Sequence, residues 1–173
     1  MDLDEARAFL RDHHHGVLAT RRRDGGPQLS PVLVGLDGEG RATVSTRETA
    51  LKTLNARRDP HVWLCVLNDR FYGNWIQLAG TAEVLFLPEA MEPLVDYYRG
   101  ISGEHPDWDD YRRAMVRDRR VLLRIELTAA GAVLAAGLLL GACRGDAGDE
   151  GNSGGGGENE GGMGNGNQGR RRN

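Results

Sequence analysis

Two hydroxyl side chains and one lysine, placed around the predicted start of a helix, are the strongest chemical signal in this sequence. Ser45 and Thr46 end a β-rich segment, and Lys52 follows on the next predicted helix. A helix start offers free backbone N–H groups and a positive dipole end, which together can hold a phosphate. The residues therefore indicate a phosphate site. Taken alone, however, they fit a capped surface helix with a solvated lysine more readily.

No other pattern of catalytic or metal-binding residues accompanies this one. The sequence contains no P-loop, HExxH motif, catalytic triad or paired-carboxylate motif. His13–His15 are consecutive, so their side chains would face different directions on a helix and make a poor metal site. Trp75, at a strand start after a Gly-Asn turn, is a candidate for stacking on a planar ring. We therefore predict no metal ligands and no catalytic side chain.

The elements that must position these residues begin with an amino-terminal helix. Asp2 and Glu5 have capping-box spacing at the start of an apolar stripe. Three β-rich segments separated by turn sequences follow, at 16–21, 27–36 and 41–45. This part of the chain therefore predicts a helix followed by hairpin-connected strands.

A second helix is predicted over 47–58, directly after the candidate phosphate site. Ser45–Glu48 has the spacing of a capping box, and the helix would end before an Asp-Pro pair. Leu51 and Leu54 are expected to face inward.

The remaining pattern predicts three more strands and two more helices. The strands lie at 61–67, 75–87 (with a bend or bulge at Gly80) and 120–127, and the helices at 89–99 and 107–118. The resulting order is αβββαββααβ. Antiparallel neighbours of this kind favour a closed, mainly β barrel with peripheral helices, of the α+β class.

The carboxyl-terminal part of the chain differs in composition from the rest. We assign 1–127 to the folded domain, 128–143 to an apolar segment of uncertain role, and 144–173 to a disordered tail that holds 12 of the 25 glycines. Residues 139–143 resemble a bacterial lipobox ending at Cys143, but a whole domain precedes them. A packed segment or an aberrant terminus is therefore a better explanation than lipidation.

Charge and cysteine content exclude several classes of protein. The net charge of −3 predicts neither a nucleic-acid-binding protein nor a membrane-surface protein. Cys65 lies in an apolar run, and neither it nor Cys143 has metal-site or disulfide-framework spacing. The acidic amino terminus is not a secretory signal, so we expect a reducing cytoplasm.

Several stretches resemble the pyridoxamine-phosphate-oxidase-like split-barrel superfamily. They are 16–20 (GVLAT), 26–30 (GPQLS), 44–46 (VST), 52–55 (KTLN) and 58–60 (RDP). A downstream run at 98–112 (YRGISGEHPDWDDYR), with Met115 and 118–123, is similar to the actinobacterial branch of F-420-dependent enzymes. The resemblance covers residues 3–127, and the second run is quite specific.

The resemblance implies a six-stranded antiparallel split β-barrel and a homodimer with two cofactor sites at the subunit interface. It places the coenzyme phosphate at Ser45, Thr46 and Lys52. Ala50 stands where the family commonly has an arginine, a loss for which Arg47 can compensate.

The same resemblance assigns the rest of the cofactor site. Residues on one strand would line the ring site, namely Gln28, Ser30 and Val32. The partner chain is expected to contribute Trp75, Gln77 and Arg120. An apolar stretch from Ala129 replaces the family's usual final strand ending.

The activity implied is hydride transfer from the reduced deazaflavin coenzyme F-420 to a small organic substrate. The cofactor would carry the reaction, which explains the lack of an acid/base constellation. Two alternatives remain open: an FMN-binding oxidase or reductase of the pyridoxamine-phosphate type, and a flavin-type cofactor-binding protein without turnover.

Overall fold

The computed structural model describes residues 1–70 and 73–133, which contain seven β-strands and four α-helices. The strands are β1 (His15–Arg21), β2 (Pro27–Leu33), β3 (Gly35–Leu36), β4 (Ala42–Arg47), β5 (His61–Leu67), β6 (Trp75–Leu85) and β7 (Arg120–Val133). The helices are α1 (Leu3–Asp12), α2 (Leu51–Arg58), α3 (Met91–Ser102) and α4 (Trp108–Arg117). The predicted tail, the lipobox-like Cys143 and positions 134–143 of the apolar segment lie outside the described residues.

The strands form one antiparallel sheet in the order β2-β1-β5-β6-β7-β4-β3. Its two edge strands, β2 and β3, are separated in sequence only by Val34. The sheet must therefore curl until its edges meet, and the predicted mainly β barrel with peripheral helices is confirmed. There are seven strands in the described residues rather than six, because the strand predicted at 27–36 is divided at Val34, whose N–H donates to the carbonyl of His14 at 2.8 Å.

Two apolar clusters hold the fold together. The larger fills the barrel with alternate strand residues and is closed by Ala6 and Leu10 of α1. The smaller joins α3 and α4 to the outer face of β7 through Leu122. The helical pair is thereby fixed against the outside of the β4–β7 ladder.

The start of α1 confirms the capping box predicted from Asp2 and Glu5. The Asp2 carboxylate accepts from the N–H of Glu5 at 2.8 Å, and the Glu5 carboxylate accepts from the N–H of Asp2 at 2.9 Å. These two bonds satisfy donors that the first turn leaves free.

The second helix begins later than the sequence predicts, and the prediction of a capping box at Ser45–Glu48 is wrong. β4 continues to Arg47, and the N–H of Glu48 donates to the carbonyl of Arg119 at 3.0 Å. α2 starts at Leu51, after Ala50, with no side-chain cap. Pairing with β7 therefore outweighs the local capping pattern.

The inward face of α2 is also opposite to the prediction. Leu51 and Leu54 are 64% and 45% exposed, whereas Thr53, Asn55 and Ala56 are buried. This leaves two leucines on the protein surface.

β6 and β7 form a long ribbon with an irregularity at the predicted position. The register shifts between Ala79 and Gly80, and a Cβ on Gly80 would lie 2.5 Å from the carbonyl oxygen of Glu126. β7 continues to Val133, beyond the predicted end at Leu127. The first part of the apolar segment therefore extends the sheet.

Candidate functional site

A cleft of about 630 Å³ opens where the end of β2, the outer face of β4–β7 and the α3–α4 pair meet. Its lining contains cationic, hydroxyl, aromatic and apolar side chains. The residues are Pro31, Val32, Leu33, Ser45, Thr46, Arg47, Ala50, Lys52, Tyr97, Tyr98, Tyr111, Met115 and Arg120. A volume of this size falls in the range of about 300–1,000 Å³ that is usual for small-molecule sites. Of the ten predicted cofactor-binding residues, six border this cleft. One of the six is Arg120, which was expected from the partner chain but lines the cleft of its own protomer.

Two arginines lie directly opposite each other at one end of the cleft. Arg47 of β4 is the register partner of Arg120 of β7. Residues opposite each other in an antiparallel pair project from the same face, and like charges in that position destabilise a sheet. Lys52, from α2, borders the same end. This arrangement concentrates three positive charges with little structural benefit.

These three cations have no carboxylate within ion-pair distance among residues 1–70 and 73–133. Arg47, Lys52 and Arg120 form no ion pair there, although the neighbouring Arg119 pairs with Glu48 at 2.7 Å. The Nε of Arg120 is buried and has no hydrogen-bond partner among the described residues. Buried donors are normally satisfied, so this atom marks a place where a ligand acceptor fits.

Lys52 shows the electrostatic consequence of this crowding. Burial lowers the pKa of its ammonium group, and the charge of Arg120 lowers that pKa further. A bound anion would offset both effects. The site is therefore best matched to an anion with several oxygen acceptors, such as a phosphate.

The predicted hydroxyl pair, Ser45 and Thr46, does not share one face of β4. Ser45 shares the outer face with Arg47, because side chains alternate along a strand, and is half-buried. Thr46 is only 4% exposed and faces the barrel. The turn after them is fixed by the Thr53 hydroxyl, which donates to the carbonyl of Arg47 at 2.7 Å. Ser45 is thus the better placed of the two hydroxyls.

Tyr97 joins the two strands that flank the cleft. Its hydroxyl donates to the carbonyl of Leu33, at the end of β2, at 3.0 Å. Burial raises the pKa of this hydroxyl, while a backbone hydrogen bond from Ser45 and the charge of Arg120 oppose the rise. A Cβ on Gly35 would lie 3.1 Å from the Tyr97 ring, so the glycine permits the close approach. Tyr97 thereby sets the spacing between β2 and β4.

The helical wall of the cleft is built by the sequence run at 98–112. Glu104 accepts from Arg99 Nε at 2.6 Å and from Trp108 Nε1 at 3.0 Å, which ties the loop to both helices. The ring of Tyr98 packs against that of Tyr111, with centroids 5.1 Å apart. The Tyr111 hydroxyl donates to the carbonyl of Leu94, and burial raises its pKa to about 12. Glu104 thus joins the two helices of this wall, and the Tyr111 hydroxyl stays protonated at neutral pH.

The remaining predicted residues lie in two other places. Gln28 and Ser30 belong to a chain of side-chain hydrogen bonds, in which Gln28 Nε2 donates to Ser30 Oγ at 2.7 Å. Trp75 and Gln77 line a separate groove of about 350 Å³ along β6 and β7. One protomer does not bring these four residues to the cationic cleft.

Seven residues of the cleft lining were not among the predicted site residues, and one of them is Ala50, which stands where the family commonly has an arginine. Two of them, Pro31 and Leu33, flank the predicted Val32, and the other four come from the helical pair: Tyr97, Tyr98, Tyr111 and Met115. Tyr98, Tyr111 and Met115 stand in the stretch that carries the specific resemblance, which was the available signal.

Comparison with known proteins agrees with this architecture. A sequence model of the family described as pyridoxamine 5'-phosphate oxidase matches residues 3–133. The chain belongs to the pyridoxamine 5'-phosphate oxidase family. The match to this family ends at Val133, the last residue of β7.

Solved structures with the same fold include the following three proteins. A conserved hypothetical protein from Mycobacterium tuberculosis is 25% identical, with a TM-score of 0.65 over 80% of this chain and 89% of that one. An F-420 reductase is 21% identical, with a TM-score of 0.57 over 72% of this chain and 94% of the other. A heme binding protein from Mycobacterium smegmatis is 17% identical, with a TM-score of 0.58 over 77% of this chain and 57% of that one. The last two likenesses show the fold alone.

Two further features of the described residues bear on other functions. Residues 1–70 and 73–133 contain no group of three or more His, Cys, Asp or Glu side chains that could hold a metal ion. In the same ranges, no helix has both the length and the apolar character needed to cross a bilayer.

Proposed function

We propose that this protein is an oxidoreductase that uses coenzyme F-420 to transfer hydride to a small organic substrate. The observation that carries the proposal is the set of three cations at one end of the cleft: Arg47 and Arg120 in register and Lys52 beside them. A phosphate-bearing coenzyme accounts for a cluster that otherwise destabilises the sheet.

The residues present fit such a coenzyme. Arg120 Nε has no partner among the described residues, and the cation cluster forms no ion pair there. Arg47, Lys52 and Arg120 would bind the phosphate, and the Ser45 hydroxyl would add one hydrogen bond. Reduced F-420, when bound, supplies the hydride.

The rest of the cleft supports binding of the organic part of the ligands. The side chains of Val32, Leu33 and Met115 give part of its walls an apolar surface. Tyr97 and Tyr111 hold their protons, because burial raises the pKa of both hydroxyls. The chain thus provides orientation and an apolar surface rather than an acid/base pair.

The choice of F-420 over FMN is supported by the 98–112 run, which builds the helical wall, and by the shared fold of an F-420 reductase. FMN is the second candidate, because it also carries a phosphate and the family is that of a flavin-type oxidase. A binding protein without turnover is the third, and substrate-dependent oxidation of reduced F-420 would eliminate it.

A homodimer belongs to this proposal. Leu29 and Leu33 on the outer face of β2, with Leu51 and Leu54 on α2, are exposed leucines of the kind that a second subunit covers. In such a dimer, Trp75 and Gln77 would reach the partner's cleft. The cytoplasmic location remains a prediction.

The test is a calorimetric titration of the full-length protein with F-420 and, separately, with FMN. We expect F-420 to bind at least about tenfold more tightly, which corresponds to about 1.4 kcal/mol. Tighter binding of FMN would replace the proposal with the oxidase alternative, and binding of neither would refute it.

A further inference from the structure

Lys52 is the only lysine in the chain, and it borders a cleft that also contains Arg47 and Arg120. Its amine has no carboxylate partner among residues 1–70 and 73–133. In the free protein, burial and Arg120 lower the pKa of this amine, so before a phosphate binds more of it is in the neutral, nucleophilic form than in an ordinary lysine. A nucleophile beside an anion-binding site is placed to react with electrophiles that carry a phosphate.

We propose that Lys52 is a modification site for acyl phosphates, of which acetyl phosphate is the simplest, and that its acylation prevents coenzyme binding. The proposal rests on the phosphate-binding role of the cleft given above. Arg47 and Arg120 would bind the phosphate of the reagent, and its acyl carbon would then lie near the Lys52 amine. Holding the reactants together in this way raises the rate without a catalytic base.

The step is a simple acyl transfer. The lone pair of neutral Lys52 Nζ attacks the carbonyl carbon, and an N–C amide bond forms as the C–O bond to phosphate breaks. The bonding electrons leave with inorganic phosphate, and the amine proton passes to solvent. No oxidant or reductant is required.

The product changes the charge of the cleft. An acylated Lys52 is a neutral amide, so only Arg47 and Arg120 remain to hold a phosphate. The longer side chain also occupies part of the cleft. Acylation should therefore weaken F-420 binding by about ten- to a hundredfold, as expected for loss of one charged hydrogen bond.

The experiment compares two acetylating reagents on the full-length protein. Acetyl phosphate carries the phosphate, whereas the N-hydroxysuccinimide ester of acetic acid does not. Mass spectrometry of peptides gives the acetylation rates of Lys52 and of the α-amine of Met1, which is an internal reference. The quantity compared is the acetylation rate of Lys52 divided by that of the α-amine. This ratio should be at least about tenfold higher with acetyl phosphate than with the ester.

Two variants provide matched controls. Arg120→Gln should remove the preference for acetyl phosphate, because it removes a ligand of the phosphate. Arg57→Gln removes one charge from α2, the helix of Lys52, at a position outside the cleft. It should leave the preference for acetyl phosphate intact. The same ratio of rates with both reagents would overturn the proposal. An equal loss of the preference for acetyl phosphate in Arg120→Gln and Arg57→Gln would also overturn it.

Protection distinguishes this proposal from the proposed function. Both inorganic phosphate and F-420 should slow acetylation of Lys52 and leave the α-amine unaffected. Protection by phosphate but not by F-420 would count against the proposal that the cleft binds F-420. It would leave the proposal of a modification site at Lys52 standing. F-420 binding without any preference for acetyl phosphate would keep the function and remove the modification site.

Discussion

Replacement of Lys52 by methionine should have opposite effects on coenzyme binding and on protein stability. Methionine keeps an unbranched side chain of similar length and removes the charge. In the complex, the lost ammonium group removes a charge-assisted hydrogen bond worth about 1.5–3 kcal/mol. The dissociation constant of F-420 should therefore rise by about one to two powers of ten.

The free protein should not lose stability through the same change. Burial and Arg120 both disfavour the charged form of Lys52, so its pKa lies below the ordinary value of a lysine. Because the side chain is only part-buried, removal of that charge should leave the free energy of unfolding unchanged or raise it by up to about 1 kcal/mol.

The same shift in pKa predicts a dependence of stability on pH. In the interval between the lowered pKa of folded Lys52 and the ordinary lysine pKa of about 10.4, the unfolded chain binds more protons. The stability contribution of this group therefore rises as pH increases through that interval. The Lys52→Met variant should lack this rise.

The assay combines calorimetric titration with F-420 and urea denaturation across the alkaline range. Arg57→Met is the control, because it removes a charge from α2 outside the cleft and should leave the F-420 affinity unchanged. Equal dissociation constants for wild type and Lys52→Met would refute the assignment of the phosphate site. A large loss of stability in Lys52→Met would refute the electrostatic argument.

Three further predictions follow from the cleft, the surface and the sheet. Tyr97→Phe should weaken binding of F-420 by about three- to tenfold, the value of one neutral hydrogen bond, because the bond to the Leu33 carbonyl holds β2 near β4; an unchanged F-420 affinity in calorimetry would contradict its role in spacing the two strands. The double change of Leu51 and Leu54 to lysine should shift the sedimentation mass from two subunits to one; an unchanged mass would place the interface elsewhere. Truncation after Gly145 should preserve the thermal midpoint and the F-420 affinity. Truncation after Leu127 removes the end of β7 and should lower the thermal midpoint. A lower midpoint for the Gly145 truncation than for the Leu127 truncation would disprove the predicted boundary.

Elements with local sequence signals could be predicted well. The Asp2–Glu5 capping box involves residues three positions apart, and the structure forms both of its hydrogen bonds. The bulge at Gly80 was likewise signalled by a glycine inside a strand pattern. In both places one short stretch of sequence contains all the information.

Elements that depend on distant partners could not be predicted. Ser45–Glu48 satisfies a capping pattern, but the pairing of Arg47 with Arg120 on a distant strand extends β4 instead. The bond between Tyr97 and the Leu33 carbonyl spans 64 residues, so no local pattern places the tyrosine in the cleft. The cationic site arises from three separate elements, and only the resemblance to a family pointed to Arg120.

The single lysine allows the central claim, that the cleft binds the phosphate of F-420, to be tested at one atom. Reductive methylation with isotope-labelled formaldehyde would place one side-chain reporter at Lys52, resolved by NMR from that of the α-amine. F-420 should shift the Lys52 signal saturably and raise the pKa of this amine, because a bound phosphate favours its charged form. The phosphate-free deazaflavin fragment should not raise it. An unchanged Lys52 signal and pKa under conditions where F-420 is shown to bind would contradict the account.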